Sequence, residues 1–170
     1  MKITNVVCSG HLGCKVDLKE LCLVLEGSRY PTPQSLTWKN PEFGATHRLF
    51  SSGKIQTFGI SHPEQIQPCM THFAKTIESL GWPVNLGAVK LLTMSAVHDL
   101  GCTLLLNEVA LYMGGSYEPE LFPAAMFKKE GIHYTCYHTG KIVITGIKTE
   151  KDVWDLLAPT LLELELCTSN

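Results

Sequence analysis

Residues 11–14 read His-Leu-Gly-Cys, and residues 99–102 read Asp-Leu-Gly-Cys at an offset of 88. Residues 52–55 read Ser-Gly-Lys-Ile, and residues 139–142 read Thr-Gly-Lys-Ile at an offset of 87. Tyr30 and Tyr117 keep the second offset. Blocks that recur in order at nearly one spacing indicate an internal repeat. The chain is therefore predicted to be a tandem duplication, with a first repeat over 1–85 and a second over 86–170.

Each half is predicted to contain strands and helices in the same order. Apolar spacing predicts the elements as follows: in the first half, strands near 5–9, 36–38, 46–50 and 54–60 and helices over 15–26 and 62–80; in the second half, helices over 103–113 and 149–164. Gly27 is expected to end the first helix, and Ser52-Gly53 is expected to form a two-residue hairpin turn. The expected fold is α+β: two pseudo-symmetric repeats form one curved antiparallel sheet, with helices on its convex face. The opposite face would be bare, and a large bare face usually marks a binding site.

Composition sets limits on the class of protein. The chain has 170 residues, 45% of them hydrophobic, which suits a globular core and argues against disorder. Its 14 basic and 16 acidic residues give a net charge of −2, which is not typical of a strongly basic nucleic-acid binder. Seven cysteines without a C-x-x-C pair indicate reduced thiols. Without a signal peptide or membrane span, the expected location is cytosolic or nuclear.

The sequence shows no constellation typical of catalysis. No Ser/His/Asp set and no phosphate-binding glycine loop stands out, so the protein is predicted not to be an enzyme and to need no cofactor. His133 and Cys136 would point to opposite faces of a strand, which argues against a metal site. Lys128-Lys129 is read either as a solvated pair or as a phosphate contact.

Four motifs then carry a resemblance. Residues 117–123, Tyr-Glu-Pro-Glu-Leu-Phe-Pro, are similar to the most recognisable stretch of the TATA-box-binding protein family. Residues 12–18, 50–54 and 140–146 resemble three further motifs of that family, in the right order along the chain. The chain is therefore identified as a divergent member of the family, and its substitutions resemble those of related factors in trypanosomatids. The resemblance implies a nuclear general transcription initiation factor.

The resemblance also implies how promoter DNA would be bound. In the family, two pairs of phenylalanines enter base steps from the minor groove and kink the duplex. Phe50 and Phe122 match two of these wedge positions, and Tyr137 matches the partner of Phe122. Pro123 follows Phe122 in the same motif. The offset of 87 from Phe122 puts Ser35 at the remaining wedge position, so a weaker kink is expected at the first repeat.

Groove contacts are expected to be partly kept. Asn5, Val7, Val143 and Thr145 match residues that face base edges in the family. Four other groove positions carry residues unusual for the family: Gln56, Phe58, Thr93 and Ser95. The minor groove mainly distinguishes A·T from G·C pairs, so these changes predict weak selection of the TATA element.

Partner surfaces are expected from the same resemblance. Glu118, Glu120 and Leu121 match the family's docking loop for an IIB-type initiation factor. The resemblance also implies an IIA-type factor and other promoter-complex subunits as partners. In the family the closing helix of the first repeat is basic and binds regulators and DNA-flanking partners, whereas the helix over 63–80 carries only Lys75 against two glutamates, which puts those partners in doubt. Three alternatives stay open: a promoter-complex scaffold without intrinsic TATA binding, an enzyme with a saddle-like repeat as in some base-excision glycosylases, and a small-molecule binder.

Overall fold

The computed structural model describes residues 1–169, and these divide into two compact units. One unit is Asn5–Leu92, and the other combines Met1–Thr4 with Thr93–Asn170. The strands of the chain are β1 Lys2–His11, β2 Arg29–Thr32, β3 Ser35–Lys39, β4 Thr46–Phe50, β5 Lys54–Ile60, β6 Lys90–Asp99, β7 Ser116–Tyr117, β8 Ala124–Lys129, β9 Ile132–Tyr137 and β10 Lys141–Ile147. None of the helices within residues 1–169 has the length and apolar character needed to span a membrane.

The unit Asn5–Leu92 is an antiparallel sheet with two helices on one face. Its strands lie in the order β2-β3-β4-β5-β1. Helix α1 covers Leu18–Val24, and helix α2 covers Ile66–Ser79 after a 3₁₀ turn at Pro63–Gln65. The buried residues of α2 pack on the buried strand positions, where Phe73 stacks against His47 with ring centroids 4.2 Å apart.

The second unit repeats this plan. Its strands lie in the order β6-β10-β9-β8-β7, and helix α3 covers Leu106–Met113. The C-terminal helical segment is not uniform: α4 Glu150–Asp152 leads into a π-helical turn at Val153–Leu157, then into α5 Ala158–Leu164 and a 3₁₀ turn at Glu165–Cys167. The single helix expected over 149–164 is thus interrupted.

One helix start and one turn differ from expectation, and one strand was not predicted, each for an identifiable reason. Helix α1 begins at Leu18 rather than near residue 15, because the Asp17 carboxylate accepts hydrogen bonds from the backbone N–H groups of Lys19 and Glu20. The turn between β4 and β5 has three residues, not two, and closes through the Gly53 N–H and the Phe50 carbonyl. Strand β2 was not predicted, because its four residues include a proline and no alternating apolar pattern.

Helix α3 also begins later than expected. The backbone N–H of Leu104 donates to the His138 carbonyl, and the N–H of Leu105 donates to the Cys167 carbonyl. Leu105 is extended and serves as the N-cap, so helical geometry begins only at Leu106.

Candidate nucleic-acid interface

Each unit has one sheet face that carries no helix, called here the open face. On β4, Thr46, Arg48 and Phe50 are exposed or half-buried, whereas His47 and Leu49 are buried under α2. This is the alternation of a strand with one covered face. The same alternation places the predicted groove residues of both repeats on open faces: Asn5, Val7, Gln56, Phe58, Thr93, Ser95, Val143 and Thr145.

Asn5 is held in a defined orientation on the open face of its unit. Its side-chain oxygen accepts a hydrogen bond of 2.7 Å from the Gly59 backbone N–H. The amide is therefore fixed with its NH₂ group on the side away from Gly59. That group is a donor, and the minor groove of A·T pairs presents only acceptors.

Phe50 lies beside a cationic side chain on the same strand. The Arg48 guanidinium carbon is 5.9 Å from the centre of the Phe50 ring, and Arg48 Nε lies 3.4 Å from the Ser35 hydroxyl. An arginine stacked on an aromatic ring keeps its remaining N–H donors free for an external anion. Phe50 and Arg48 thus combine an apolar and a basic contact at one point of the open face.

Phe122 and Tyr137 form the matching aromatic pair of the other unit. Their ring centroids are 6.3 Å apart and the rings meet edge to face. Phe122 is 40% exposed, which is unusual for an aromatic side chain in a small domain. An open depression of about 390 Å³ next to this pair is lined by Pro123, Tyr137, His138, Thr139, Lys141 and Val143. Pro123, Tyr137 and Val143, three of the predicted DNA-binding residues, therefore line one depression beside the fourth, Phe122.

The structure corrects the placement of Ser35. Ser35 pairs across the sheet with Phe50, and Ala124 pairs across the sheet with Tyr137. Ser35 therefore corresponds to Ala124 and not to Phe122. It is only 1% exposed, so its hydroxyl belongs to the packing of the sheet.

Two compensating length differences explain why the sequence offset failed at this strand. Two residues separate Tyr30 from Pro33, whereas four separate Tyr117 from Phe122. After the strand, six residues separate the cross-strand pair Lys39–Thr46, and four separate the corresponding pair of β8 and β9. The offset is 87 on either side of this strand but 89 within it. Pro33, in the turn between β2 and β3, is thus the counterpart of Phe122.

The predicted partner-binding residues form an exposed loop before β8. The backbone N–H groups of Leu121 and Phe122 both donate to the Glu118 carbonyl, so the loop is a tight turn. Leu121 is 79% exposed, and Glu118 and Glu120 are exposed beside it. A depression of about 380 Å³ is lined by residues 118–121.

Charge is sorted between strands and helices, which the net charge of −2 conceals. Strands hold nine of the 14 basic side chains and one of the 16 acidic ones, Asp99. The helical segments, 3₁₀ and π turns included, hold three basic and nine acidic side chains. The basic side chains on the open faces are Arg29, Lys39, Arg48 and Lys54 in one unit and Lys128 and Lys141 in the other. An overall acidic chain can therefore present basic surfaces.

Sequence reasoning missed Arg48 and its basic neighbours. The signal was present, because Arg48 lies two residues before Phe50 and must share its face on any strand. Of the lysine pair 128–129, only Lys128 lies on the open face. Lys129 Nζ is 2.6 Å from the Glu163 carboxylate on α5, and this hydrogen bond raises the pKa of Lys129. Lys129 is therefore a structural residue.

The buried thiols Cys8 and Cys69 are not activated as nucleophiles. Burial raises the pKa of Cys8 to about 12 and that of Cys69 to about 11, so both remain protonated thiols. His133 is exposed and Cys136 is buried, on opposite faces of β9. Among residues 1–169, no group of three His, Cys, Asp or Glu side chains is arranged to hold a metal ion.

Comparison with known proteins places this geometry in a family. The profile of the family described as "Transcription factor TFIID (or TATA-binding protein, TBP)" matches residues 1–80 and 88–165. The TATA-box-binding protein of Methanocaldococcus jannaschii is 31% identical over 158 residues, which cover 89% of this chain and 86% of that protein. Mouse TATA box-binding protein-like 2 is 29% identical over 161 residues, or 91% of this chain. The chain spans just under half the length of that mouse relative, 46%.

A solved structure of a TATA-binding protein has the same fold as this chain. The structure described as Methanococcus jannaschii TBP has a TM-score of 0.86 to this chain at 30% identity, and it covers 97% of this chain and 98% of its own. The α+β class predicted from the two repeats is confirmed by this likeness. The profile match, the relatives and the fold together show that this chain belongs to the TATA-binding protein family of transcription factors.

Proposed function

We propose that this protein is a nuclear general transcription initiation factor that binds promoter DNA through the minor groove. It would act by binding and recruitment and not by catalysis. The observation that carries this proposal is the combination, on the open faces, of exposed or half-buried aromatic side chains and six basic side chains. In one unit the aromatic side chains are the pair Phe122 and Tyr137. In the other unit Phe50 lies beside the basic side chain of Arg48.

Apolar side chains suit a minor-groove protein that bends its DNA. Unstacking a base step costs a few kcal/mol, and contact between the bent groove and the protein offsets this cost. The open-face lysines and arginines would lie near phosphates and add a salt-dependent contribution. Six such side chains are few, so binding is expected to be weak at physiological salt.

Weak selection of the TATA element is part of the proposal. Asn5 offers a donor to the A·T acceptors, and Val7, Val143 and Thr145 offer small contacts. Phe58, however, is 40% exposed on the same open face and is much larger than the threonine usual there. A bulky ring beside the groove floor keeps neighbouring polar groups from base edges, which reduces discrimination between sequences.

The test is a titration of fluorescently labelled A·T-rich and scrambled duplexes at two salt concentrations, reading affinity and end-to-end bending together. Phe122→Ala should abolish most of the bend and weaken binding about tenfold or more. Trp154→Ala is the matched control, because Trp154 is 77% exposed on the helical segment of the same unit. A bend that survives Phe122→Ala would count against the proposed wedge.

Recruitment of an IIB-type factor through Glu118, Glu120 and Leu121 is the second part of the proposal. The loop is exposed and acidic, as a surface for a basic partner would be. Glu118→Lys combined with Glu120→Lys should abolish binding of the IIB-type factor, whereas Glu78→Lys on α2 should not. The helix surface over 63–80 carries one basic side chain, Lys75, against Glu64 and Glu78, so partners that need a basic surface there are expected to bind weakly.

A promoter-complex scaffold without intrinsic TATA binding is the second candidate. The replaced groove residues and the acidic helices favour it. It predicts that neither duplex binds at either salt concentration, while the IIB-type factor still binds wild-type protein and not the 118/120 double variant.

A further inference from the structure

The C-terminal helical segment of the second unit, residues 150–167, corresponds to α2 of the other unit at an offset of 87. Buried residues of the two segments match at this offset: Met70, Phe73 and Ile77 with Leu157, Thr160 and Leu164. Three exposed positions match as well but differ in chemistry: Gln67, Lys75 and Ser79 on α2, and Trp154, Leu162 and Leu166 on the C-terminal segment. The fold forms with polar side chains at these positions in α2, so it does not require the apolar ones.

An open depression of about 330 Å³ lies where this segment meets α3. Its lining residues are Glu108, Leu111, Tyr112, Leu166 and Cys167. Helix α3 supplies Leu111 and Tyr112, and both side chains are exposed. The backbone N–H of Leu105 donates to the Cys167 carbonyl over 2.9 Å, which holds the start of α3 beside the end of the C-terminal segment. A depression with apolar walls between two helical elements suits the insertion of large apolar side chains from a ligand.

The depression lies in an acidic part of the surface. Helix α3 holds one acidic side chain and residues 150–167 hold five, against a single basic side chain, Lys151. Lys151 Nζ lies 3.7 Å from the Asp155 carboxylate. Among residues 1–169, Glu108 and Glu165 form no ion pair. Glu108 lines the depression and Glu165 directly precedes Leu166, so the surface is complementary to a ligand that combines apolar and basic side chains.

We infer that this depression binds a basic amphipathic helix of a partner protein. The apolar row of such a helix, with side chains at positions i, i+3, i+4 and i+7, has the spacing needed to follow a groove between helical elements. Lys or Arg side chains beside that row would face Glu108 and Glu165. Duplex DNA does not suit the depression, because its phosphates would meet acidic side chains. The inference goes beyond the proposed function, since it uses neither the open faces nor the loop 118–121.

The test uses two labelled synthetic helices of about 18 residues, long enough to be helical. One has a leucine row flanked by lysines, and the other has glutamate in place of every lysine. Leu111→Ala and Glu108→Lys are compared with Leu23→Ala and Glu20→Lys, which are the same changes at an offset of 88 on α1. Leu23 and Leu111 are both 86% exposed, so neither truncation opens the core. Leu166→Ser installs the residue type that α2 carries at the corresponding position. Urea unfolding checks that each variant keeps wild-type stability, and fluorescence anisotropy measures affinity.

Wild type should bind the lysine helix about tenfold or more tightly than the glutamate helix. Leu111→Ala and Leu166→Ser should each weaken binding of the lysine helix about tenfold, and Glu108→Lys should weaken it about threefold. Leu23→Ala and Glu20→Lys should match wild type.

The inference is overturned if wild type does not bind the lysine helix, if it binds both helices equally, or if the α1 variants weaken binding as much as the α3 variants. Sedimentation of the protein alone gives one further check. A wild-type dimer that Leu111→Ala abolishes would mean that a second copy covers the depression, and this too would overturn the inference. If wild type binds no duplex but binds the lysine helix as expected, the proposed DNA-binding function fails and this inference stands.

Discussion

Asn5 shows how a single hydrogen bond decides what a side chain can offer to a ligand. Because its oxygen accepts from the Gly59 N–H, its NH₂ group is left facing outward. Asn5→Asp should keep the hydrogen bond from the Gly59 N–H and remove the outward-facing NH₂ donor. The fold should therefore be preserved, and the preference for A·T-rich over G·C-rich duplexes should fall by roughly tenfold.

The ratio of the affinities for A·T-rich and G·C-rich duplexes, measured at one salt concentration, separates the loss of the donor from the effect of the added negative charge. Ser9→Asp adds the same negative charge on the same strand face, so it should weaken binding to both duplexes by the same factor. An unchanged ratio in Asn5→Asp would mean that Asn5 does not face a base edge.

A buried polar network in the unit Asn5–Leu92 fixes the protonation of one histidine. Asn40 accepts two backbone N–H bonds with its oxygen, so its NH₂ group donates to His47 Nε2 over 3.1 Å and to His72 Nδ1 over 3.0 Å. His47 then carries its hydrogen on Nδ1 and donates to the Thr57 hydroxyl, and that hydroxyl donates to the Met70 sulfur. The network therefore requires neutral His47. Burial, with a further contribution from His72, lowers the pKa of His47 to about 3.

This lowered pKa makes stability depend on pH. Unfolded His47 would bind a proton near pH 6.5, and the folded protein binds it only near pH 3, so the unfolded state gains protons first as pH falls. Neutral His47 makes its whole contribution to the free energy of unfolding above pH 6.5. Below pH 6.5 the free energy of unfolding decreases by up to about 1.4 kcal/mol per pH unit.

Urea unfolding of wild type and His47→Gln between pH 7.5 and 5 measures the effect. The variant lacks the titrating ring, so its stability should fall less steeply with pH, whatever its stability at pH 7.5. Parallel curves for the two proteins would show that His47 does not control the pH dependence.

At the scale of elements, the hairpin turns at Gly53 and Gly140 have the same backbone conformation and the same packing in the two units. Gly53 and Gly140 have φ of +96° and +94°, and a Cβ on either would lie 2.2 Å from a backbone carbonyl oxygen, that of Cys14 or Cys102. Each hairpin turn is thus packed against the segment that leads into the first helix of its unit. This contact explains why the Gly-Lys-Ile sequence recurs with the Leu-Gly-Cys sequence.

Gly140→Ala should therefore destabilise the protein by about 2–3 kcal/mol, because the new methyl group adds a backbone clash to an unfavourable φ. Gly114→Ala is the control, since Gly114 also has positive φ (+69°) but open space around it, and should cost about 1 kcal/mol. Chemical denaturation of both variants gives the comparison, and equal costs would contradict the close-packing argument.

At the scale of the whole molecule, the distribution of charge matters more than its sum. The segregation of basic side chains to strands and acidic ones to helices means that net charge does not predict the salt dependence of DNA binding. Arg48 lies on an open face and Lys75 lies on α2, so the two cations have different expected roles.

The slope of log affinity against log salt concentration distinguishes them. Arg48→Gln should reduce the magnitude of this slope by about 1, as the loss of one phosphate contact does. Lys75→Gln should leave the slope unchanged. Equal effects of the two substitutions would mean that the DNA does not occupy the open face.

The sequence by itself determined the duplication, the order of most elements and the positions of the glycine hairpins. These features follow from local spacing and from backbone conformations that only glycine adopts readily. Tertiary structure alone decided the equivalence of Pro33 with Phe122, the neutral state of His47 and the pairing of Lys129 with Glu163. Strand register is set by hydrogen bonds between residues far apart in the chain, and two loop-length changes that cancel leave no trace in the offset between flanking motifs. Side-chain protonation and pairing likewise depend on neighbours that only the folded chain brings together.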